Sequence, residues 1–481
     1  MIQPWRFGLD RWEVEVRGET EAGFEAYAEG LASVLGRSGR GAGLKDYCTG
    51  LMLPLERKSV EPLAAATSPW RVSAQHQSLM HFVSVSPWSD EKLLAKVGEL
   101  VLPVIERHGP IEAWIIDDTG FRKKGRHSVG VARQYCGEIG KQDNCQVAVS
   151  LSLANAWASL PVAFQLYLPK PWAEDGARRS KAGVPDHLAF ATKPQIALEQ
   201  IRRTCEAGAP RGVVLMDAGY GVDARLRLGV TAVGLSYVAG VLSDTLVFAP
   251  GHRPMAGHTR PKSGRRQRHV VSIKDIALSL PAEAWTRIEW REGAAEPLSG
   301  RFARVRVCSA HRHRTPPERS VEWLLIEWPE GEAEPTRYWL STLPEDIAFD
   351  RLVGLTKLRW RIERDYQDLK QEVGLDHFEG RSWRGFHHHA SLSIAAYGFL
   401  ISERETIPPS GPGSFGRGPQ AGLPDDYRPR GAADPARTAH PQFNRHPAKT
   451  PRRRPRQTTA AMSLLRAKEP RTDPLLEDMT Q

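Results

Sequence analysis

The chain has 481 residues, of which 66 are Lys or Arg and 56 are Asp or Glu, so its formal net charge is +10. A hydrophobic fraction of 41% and a charged fraction of 25% are typical of a soluble globular protein. Five cysteines without CxxC spacing exclude a zinc site and a disulfide framework. The apolar stretches are too short to cross a bilayer, and the N-terminus lacks a signal sequence, so we expect a cytoplasmic protein without a membrane partner.

Residues 1–105 are predicted to form a mostly helical N-terminal region. Apolar residues recur at helical spacing in FEAYAEGLASVL and in SDEKLLAKVGELVLPVIERHG. Either Ser89 or Asp90 is expected to cap the second of these helices, because both are good N-cap residues at its start.

Residues 106–232 show a different pattern, with short apolar runs that end in polar or turn residues. IEAWIID, CQVAVSLSLAN, VAFQLYLP and RGVVLMDAG are predicted strands, and TKPQIALEQIRRTCEAG between the last two is a predicted amphipathic helix. This order of elements indicates a mixed α/β sheet.

The remainder of the chain divides into three parts. Residues 233–345 alternate short β-type segments with turns and include the basic loop PKSGRRQRH, which indicates a β-rich insertion subdomain. Helical periodicity returns over 346–405. Residues 406–481 are basic and rich in proline, with 13 basic and 7 acidic residues from position 411 onward, and are predicted to be disordered.

Two of the predicted strands end in aspartate. Residues 114–116 lead into Asp117 and Asp118, and residues 213–216 lead into Asp217. A strand end presents its side chain at an edge of the sheet, which is where sites form in open α/β sheets. The alternative for each strand taken alone is an aspartate that only caps the next turn.

A third carboxylate stands in the predicted helix near residue 360. Arg359, Glu363 and Lys370 are spaced i, i+4 and i+11, which places them on nearly one helical face. The alternative is a solvated salt-bridge face. Three carboxylates from two strands and a helix are what two-metal phosphoryl transfer needs, and Mg²⁺ prefers such oxygen ligands.

Long segments around these acids resemble insertion-sequence transposases of the DDE superfamily, most closely insertion-sequence family 701. The likeness covers about residues 45–405 and is carried by residues 56–64, 75–88, 116–151, 168–179, 182–187, 214–221 and 359–400. Related families carry the pattern Y-x₂-R-x₃-E-x₆-K on the helix of the catalytic Glu. Arg359, Glu363 and Lys370 match that pattern here, whereas its Tyr position holds Thr356.

The resemblance implies a ribonuclease H-like catalytic core that is interrupted by the β insertion. It also implies that Asp117, Asp217 and Glu363 are the catalytic residues and hold two Mg²⁺ ions, with Mn²⁺ as a substitute. Asp118 is assigned a supporting role, because similar proteins can carry Glu at that position.

The cations of the sequence are candidate DNA contacts. Phosphate contacts position a DNA substrate, and they are assigned to Arg359, Lys370 and the basic residues of two loops, Arg122, Lys123, Lys124, Arg126, Arg265, Arg266 and Arg268. The alternative for both loops is a solvated turn. The tryptophans of the insertion are expected in its core or on a sheet face. His387, His388 and His389 cannot share one metal ion, because consecutive helical side chains diverge by about 100°, and a polar helix surface or DNA contacts are expected instead.

The sequence therefore predicts a transposase that cleaves DNA strands at the ends of an insertion sequence and transfers them into target DNA. Its expected partners are double-stranded DNA, as terminal inverted repeats and target, and a second copy of the chain on that DNA, within the bacterial cytoplasm and at the nucleoid when bound. The alternatives are an inactive transposase relic that only binds DNA and, from another class, a carboxylate-based hydrolase such as a glycosidase. We also hypothesise that a frameshift replaced a family-like ending in the tail.

Overall fold

The computed structural model describes residues 11–252, 269–291, 298–310 and 321–406. The N-terminal region is helical, as predicted. Its helices are α1 (Arg11–Ala32), α2 (Arg40–Met52), α3 (Val60–Thr67), α4 (Val72–Ser84) and α5 (Asp90–Glu106). Ser89 precedes α5 as its N-cap residue, and its hydroxyl accepts a hydrogen bond from the Lys92 amide. Of the two candidates, the cap is therefore Ser89 and not Asp90.

The central part of the chain combines strands and helices. The strands are β1 (Ala113–Arg122), β2 (Ala132–Cys136), β3 (Lys141–Ala154), β4 (Ser159–Leu166) and β5 (Val213–Met216). The helices are α6 (Lys170–Ala173), α7 (Gly176–Ala182), α8 (Lys193–Glu206), α9 (Ala218–Gly221) and α10 (Ala224–Ala232), and a 3₁₀ turn spans Gly137–Ile139.

Short strands dominate the following part of the chain. They are β6 (Tyr237–Val241), β7 (Leu246–Phe248), β8 (Val270–Ser272), β9 (Thr286–Arg291), β10 (Leu298–Ser309), β11 (Val321–Trp328) and β12 (Arg337–Ser341), with α11 (Ile273–Ser279) and a 3₁₀ turn (Ala282–Ala284) among them. The chain then continues as α12 (Phe349–Lys357), α13 (Trp360–Gln371) and α14 (Trp383–Thr406). The predicted disordered tail lies outside the described residues from residue 407 onward.

All the strands of the described ranges join in one mixed sheet. Its order is β2-β3-β1-β5-β6-β12-β11-β10-β7-β8, with β4 added on β3 and β9 on β10. β1, β5 and β6 are mutually parallel, whereas β3 runs antiparallel to β1 and β12 antiparallel to β6. This arrangement confirms the mixed α/β class. The β-rich segment does not form a separate sheet, because its first strand, β6, pairs with β5, and β12 pairs with β6 in turn.

Helices cover both faces of the central strands. On one face Ile115 and Leu215 pack in the same apolar cluster as Leu352 of α12 and Ile362 of α13. On the other face Trp114 and Ile116 belong to the cluster that includes α8. Because side chains alternate along a strand, the residues that follow Ile116 on β1 also point to alternate faces.

Helix α14 crosses the molecule between the N-terminal helices and the sheet, where it contacts α2, α4, α5 and β4. Its three consecutive histidines are buried, so the prediction of a polar helix surface is wrong. His387 donates from Nδ1 to the Trp383 carbonyl (2.9 Å) and accepts at Nε2 from the Leu166 amide (3.2 Å). His388 lies within hydrogen-bond distance of the Val83 and Trp88 carbonyls and stacks on the Trp88 ring. Each histidine is therefore held by a different neighbour.

His389 is expected to make folding sensitive to acid. Its Nε2 donates to the Gly374 carbonyl (3.0 Å) and its Nδ1 accepts from the Tyr47 hydroxyl (2.9 Å), a pattern that requires the neutral ring. Burial lowers the pKa of His389 to about 4. Between that value and the unfolded pKa near 6.5 the unfolded chain binds the proton better, so stability is complete above pH 6.5 and falls as the pH falls.

One such histidine contributes about 1.4 kcal/mol per pH unit to this loss. Urea unfolding at pH 7 and pH 5 measures it. The drop in free energy of unfolding between the two pH values should be smaller for His389→Gln than for the wild type. The same drop in both proteins would contradict this account.

Among the described helices, none combines the length and the apolar character needed to cross a bilayer.

Candidate active site

Asp117 and Asp217 lie at the same level of the sheet, directly after the paired parts of the neighbouring parallel strands β1 and β5. The last paired residues of β1 and β5 are Ile116 and Met216, and each aspartate is the next residue. The prediction that both strands end there is correct for β5 only. β1 continues through Asp117 to Arg122 because β3 pairs with it along its whole length. Asp117 therefore lies within β1. It is the first residue of β1 beyond the part that pairs with β5, while its pairing with β3 continues.

Asp217 begins the short helix α9. Its carboxylate accepts a hydrogen bond from the Tyr220 amide (3.2 Å), as expected of an N-cap residue. The capping role and a role at the site are compatible, because one amide leaves most of the acceptor positions of a carboxylate free.

Arg359 joins Asp117 to Glu363. One guanidinium nitrogen lies 2.7 Å from Asp117 Oδ2, and the other lies 2.7 Å from Glu363 Oε1. Burial raises the pKa of Asp117 to about 7; Arg359 opposes this shift, and the charges of Asp217 and Asp118 add to it. Burial disfavours the charge of Arg359, but Asp117, Asp217 and Glu363 together hold its pKa above the ordinary value. Arg359 is thus the cation at the centre of three carboxylates.

The predicted long helix that carries these residues is interrupted. α12 ends at Lys357 and α13 begins at Trp360, so Arg359 occupies the N-cap position of α13 and Glu363 its first turn. Thr356, at the position of the family's Tyr, is buried and donates its hydroxyl hydrogen bond to the Leu352 carbonyl (2.7 Å). The Thr356 side chain is therefore satisfied within its own helix.

Lys370, on α13, contacts β1 at Gly120, three residues beyond Asp117. Its ammonium donates to the Gly120 carbonyl (2.8 Å) and pairs with Glu138 (3.0 Å), and it lies over the Phe121 ring. The structure therefore brings Arg359 to the carboxylates but not Lys370.

Asp118 points to the opposite face of the sheet from Asp117. Its Oδ2 accepts from Lys193 Nζ (2.7 Å) and from the Tyr220 hydroxyl (3.0 Å). Burial raises the pKa of Tyr220 well above its usual range, and the charge of Asp118 adds to this. Tyr220 thus bonds Asp217 through its amide and Asp118 through its hydroxyl. Sequence analysis missed Lys193 and Tyr220 as site residues. The only signal for Tyr220 was its place three residues after Asp217, and Lys193 had no local signal.

The basic turn after β1 is only partly free for a ligand. Arg122 is exposed, with its Nε 3.4 Å from Asp143, whereas Lys123 donates to the Phe378 carbonyl (2.9 Å) and has its pKa lowered by burial. Lys124 and Arg126 are exposed. The second predicted set of phosphate contacts, Arg265, Arg266 and Arg268, lies outside the described residues.

The tryptophans of the β-rich segment pack on the sheet, as expected. Trp323 is buried and donates its indole N–H to the Pro344 carbonyl (3.0 Å). Trp290 and Trp339 lie beside Lys357, whose ammonium bonds both carboxylate oxygens of Glu327 at 2.7 Å. This buried pair belongs to the core beneath α12 and not to the acidic cluster.

The acidic cluster suits a cation in its chemistry but not yet in its arrangement. Asp117, Asp217 and Glu363 offer only oxygen donors, which Mg²⁺ prefers, and a cation would favour the charged form of Asp117, whose pKa is raised by burial and by the nearby carboxylates. Within the described ranges, however, no three His, Cys, Asp or Glu side chains stand close enough to hold a metal ion. The Arg359 guanidinium lies between the carboxylates of Asp117 and Glu363 and separates them.

Known proteins resemble the part of the chain that carries two of the three acids. The family model described as DDE superfamily endonuclease matches residues 30–297, more than half of the chain, and this range includes Asp117 and Asp217. The chain is also 31% identical over 199 residues to the probable transposase for insertion sequence element IS701 of Microchaete diplosiphon. That match covers 41% of this chain and 48% of the relative, so the chain spans about half the length of the relative. The chain belongs to the DDE superfamily endonucleases.

Proposed function

We propose that this protein is the transposase of an insertion sequence, which cleaves DNA strands at the element ends and joins the freed 3′ ends to target DNA. The observation that carries the proposal is the placement of Asp117 and Asp217 side by side where the parallel pairing of β1 and β5 ends, with Arg359 bound to Asp117 and Glu363. The name of the relative, a probable transposase, supports it. We further propose that the central sheet is a ribonuclease H-like core.

The acidic cluster would hold the metal ions of this chemistry. Asp117, Asp217 and Glu363 would bind two Mg²⁺ ions, or Mn²⁺ as a substitute, which when bound would activate the attacking oxygen and stabilise the leaving one. The chain would prepare for them by releasing Arg359 from one of its two carboxylates. The freed guanidinium is then available to a phosphate, which it can bind through two parallel hydrogen bonds.

The remaining contacts with DNA would come from several parts of the chain. The exposed Arg122, Lys124 and Arg126 would hold the backbone beside the cluster. Residues 1–105 and the β-rich segment 233–345 would bind the terminal inverted repeats, with the core formed by 106–232 and 346–405. Two element ends must be joined, so a dimer on DNA at the nucleoid is part of the proposal.

A catalytically inactive relic that only binds DNA is the second candidate. One observation favours it: Thr356 stands where related families carry Tyr, and its hydroxyl is bonded within α12. A glycosidase-like hydrolase has no support from the family match.

The test of the proposal is strand cleavage on duplexes taken from the DNA that flanks the gene of this chain. The full chain should nick end-labelled duplexes in the presence of Mg²⁺ and leave them intact when EDTA removes the metal, with scrambled duplexes as the control. Retention of the duplexes without cleavage in Mg²⁺ or Mn²⁺ would identify the relic. Cleavage that continues in EDTA would overturn the two-metal mechanism.

A further inference from the structure

Two cations approach the paired aspartates of β1 from opposite sides. Arg359 bonds Asp117 on the face covered by α13, and Lys193 Nζ lies 2.7 Å from Asp118 Oδ2 on the other face. The alternation of side chains along β1 produces this division. β1 therefore has one paired cation on each face at this point.

The start of α8 fixes the position of Lys193. Thr192 caps the helix through a capping box. Its hydroxyl accepts a hydrogen bond from the Gln195 backbone amide, and the Gln195 side-chain oxygen accepts one from the Thr192 backbone amide. Pro194 follows in the first turn, where its missing N–H costs nothing. Further along α8, the Gln200 side chain donates to the Val149 carbonyl of β3 (3.0 Å) and links the helix to the sheet. These hydrogen bonds fix the backbone of Lys193 at the start of α8.

Lys193 retains the capacity to bind a ligand. Its side chain is 34% exposed, and within the described ranges its ammonium has one acceptor, Asp118, for three donor hydrogens. Lys370, which the family pattern singles out, is 15% exposed and already bonds a carbonyl and Glu138. Of the two lysines, Lys193 is the one with donors to spare, and it lies beside Asp118, the neighbour of Asp117 on β1.

We propose that Lys193 is a substrate-binding residue that contacts a backbone phosphate of the DNA at the cleavage site. The inference rests on the proposed function and adds a residue to it. Asp118, which also accepts from the Tyr220 hydroxyl, would hold the ammonium in place before DNA arrives, and a phosphate oxygen would take one of its remaining donors.

Salt dependence of DNA binding separates this role from a merely structural one. Each lysine–phosphate contact adds about 0.9 to the slope of log K against log salt concentration, because binding releases counterions. The full chain and its Lys193→Ala, Lys193→Arg and Asp118→Asn variants would be titrated with the flanking duplexes at several salt concentrations. Urea unfolding of each variant would establish that it is folded.

We expect Lys193→Ala to weaken binding about three- to tenfold at low salt and to lower the slope by about one. Lys193→Arg should keep the wild-type slope, and Asp118→Asn should keep the slope because the lysine remains. An unchanged slope in Lys193→Ala, or equal losses in Lys193→Ala and Asp118→Asn, would overturn the inference while the proposed function stands. Failure of the wild type to bind the duplexes would contradict the proposed function itself.

Discussion

The Asp217→Asn variant should bind the flanking duplexes as the wild type does and cleave them at least about a thousandfold more slowly, a loss of about 4 kcal/mol in transition-state stabilisation. The substitution removes one negative charge and leaves the fold intact. Asparagine is as good an N-cap residue as aspartate, so the bond from the Tyr220 amide that begins α9 survives. What is lost is the anionic ligand beside Asp117. Single-turnover cleavage in Mg²⁺ measures the effect.

Asp223→Asn provides the matched control. Asp223 is the N-cap residue of the next helix, α10, where its carboxylate accepts from the Arg225 and Leu226 amides. The same chemical change six residues away should leave cleavage within about twofold of the wild type, since surface substitutions away from special sites cost little. Equal cleavage by Asp217→Asn and the wild type would remove Asp217 from the mechanism. A comparable loss in Asp223→Asn would point to a general effect of capping.

The parts of the site that sequence analysis predicted are those set by local pattern. Apolar runs that end in acids single out Asp117 and Asp217, and parallel pairing of those runs brings the two aspartates together, although only β5 ends there. Helical spacing likewise places Arg359 within reach of Glu363, and the structure joins them by an ion pair. The first inference needs only the pairing of the two strands, and the second needs only the helix. The assignment of these residues to catalysis and metal binding remains a prediction.

The parts that it missed depend on contacts between distant segments. β1 continues beyond Asp117 because β3 pairs with it, and the pairing partner of a strand is not written in that strand. Lys193 reaches Asp118 across 75 residues of sequence, and Lys370 is drawn to Gly120 across 250. Such long-range pairs leave no local pattern.

The histidines of α14 are a different case, since a signal was present. The residues that follow them, ASLSIAAYGFL, are small or apolar on every side of the helix, which is typical of a buried helix. A histidine run at the start of such a helix is more consistent with hydrogen-bonded burial than with a solvent-facing surface. In the structure each of the three accordingly lies near backbone carbonyls.

Glycine is required at the turn that carries Asp217. A Cβ added to Gly221, at the end of α9, would lie 2.0 Å from the Gly240 carbonyl oxygen of β6. Conversely, a Cβ on Gly240 would lie 2.8 Å from the Ala218 amide nitrogen. The obstacles in both cases are backbone atoms, which cannot turn aside as a flexible side chain can. The buried Arg227 also donates to the Gly221 carbonyl and holds the turn against the strand.

Gly221→Ala should therefore lower the free energy of unfolding by about 3 kcal/mol, the upper end of the usual cost of overpacking. The folded fraction that remains should also cleave DNA more slowly, because α9 must move away from β6 and carry Asp217 with it. Gly354→Ala is the matched control: it lies in α12, an added Cβ there has no atom within 4 Å, and alanine should stabilise the helix by up to about 1 kcal/mol. Urea unfolding of the two variants measures the contrast. Equal stability of both would show that the turn beside Asp217 has more room than this close approach implies.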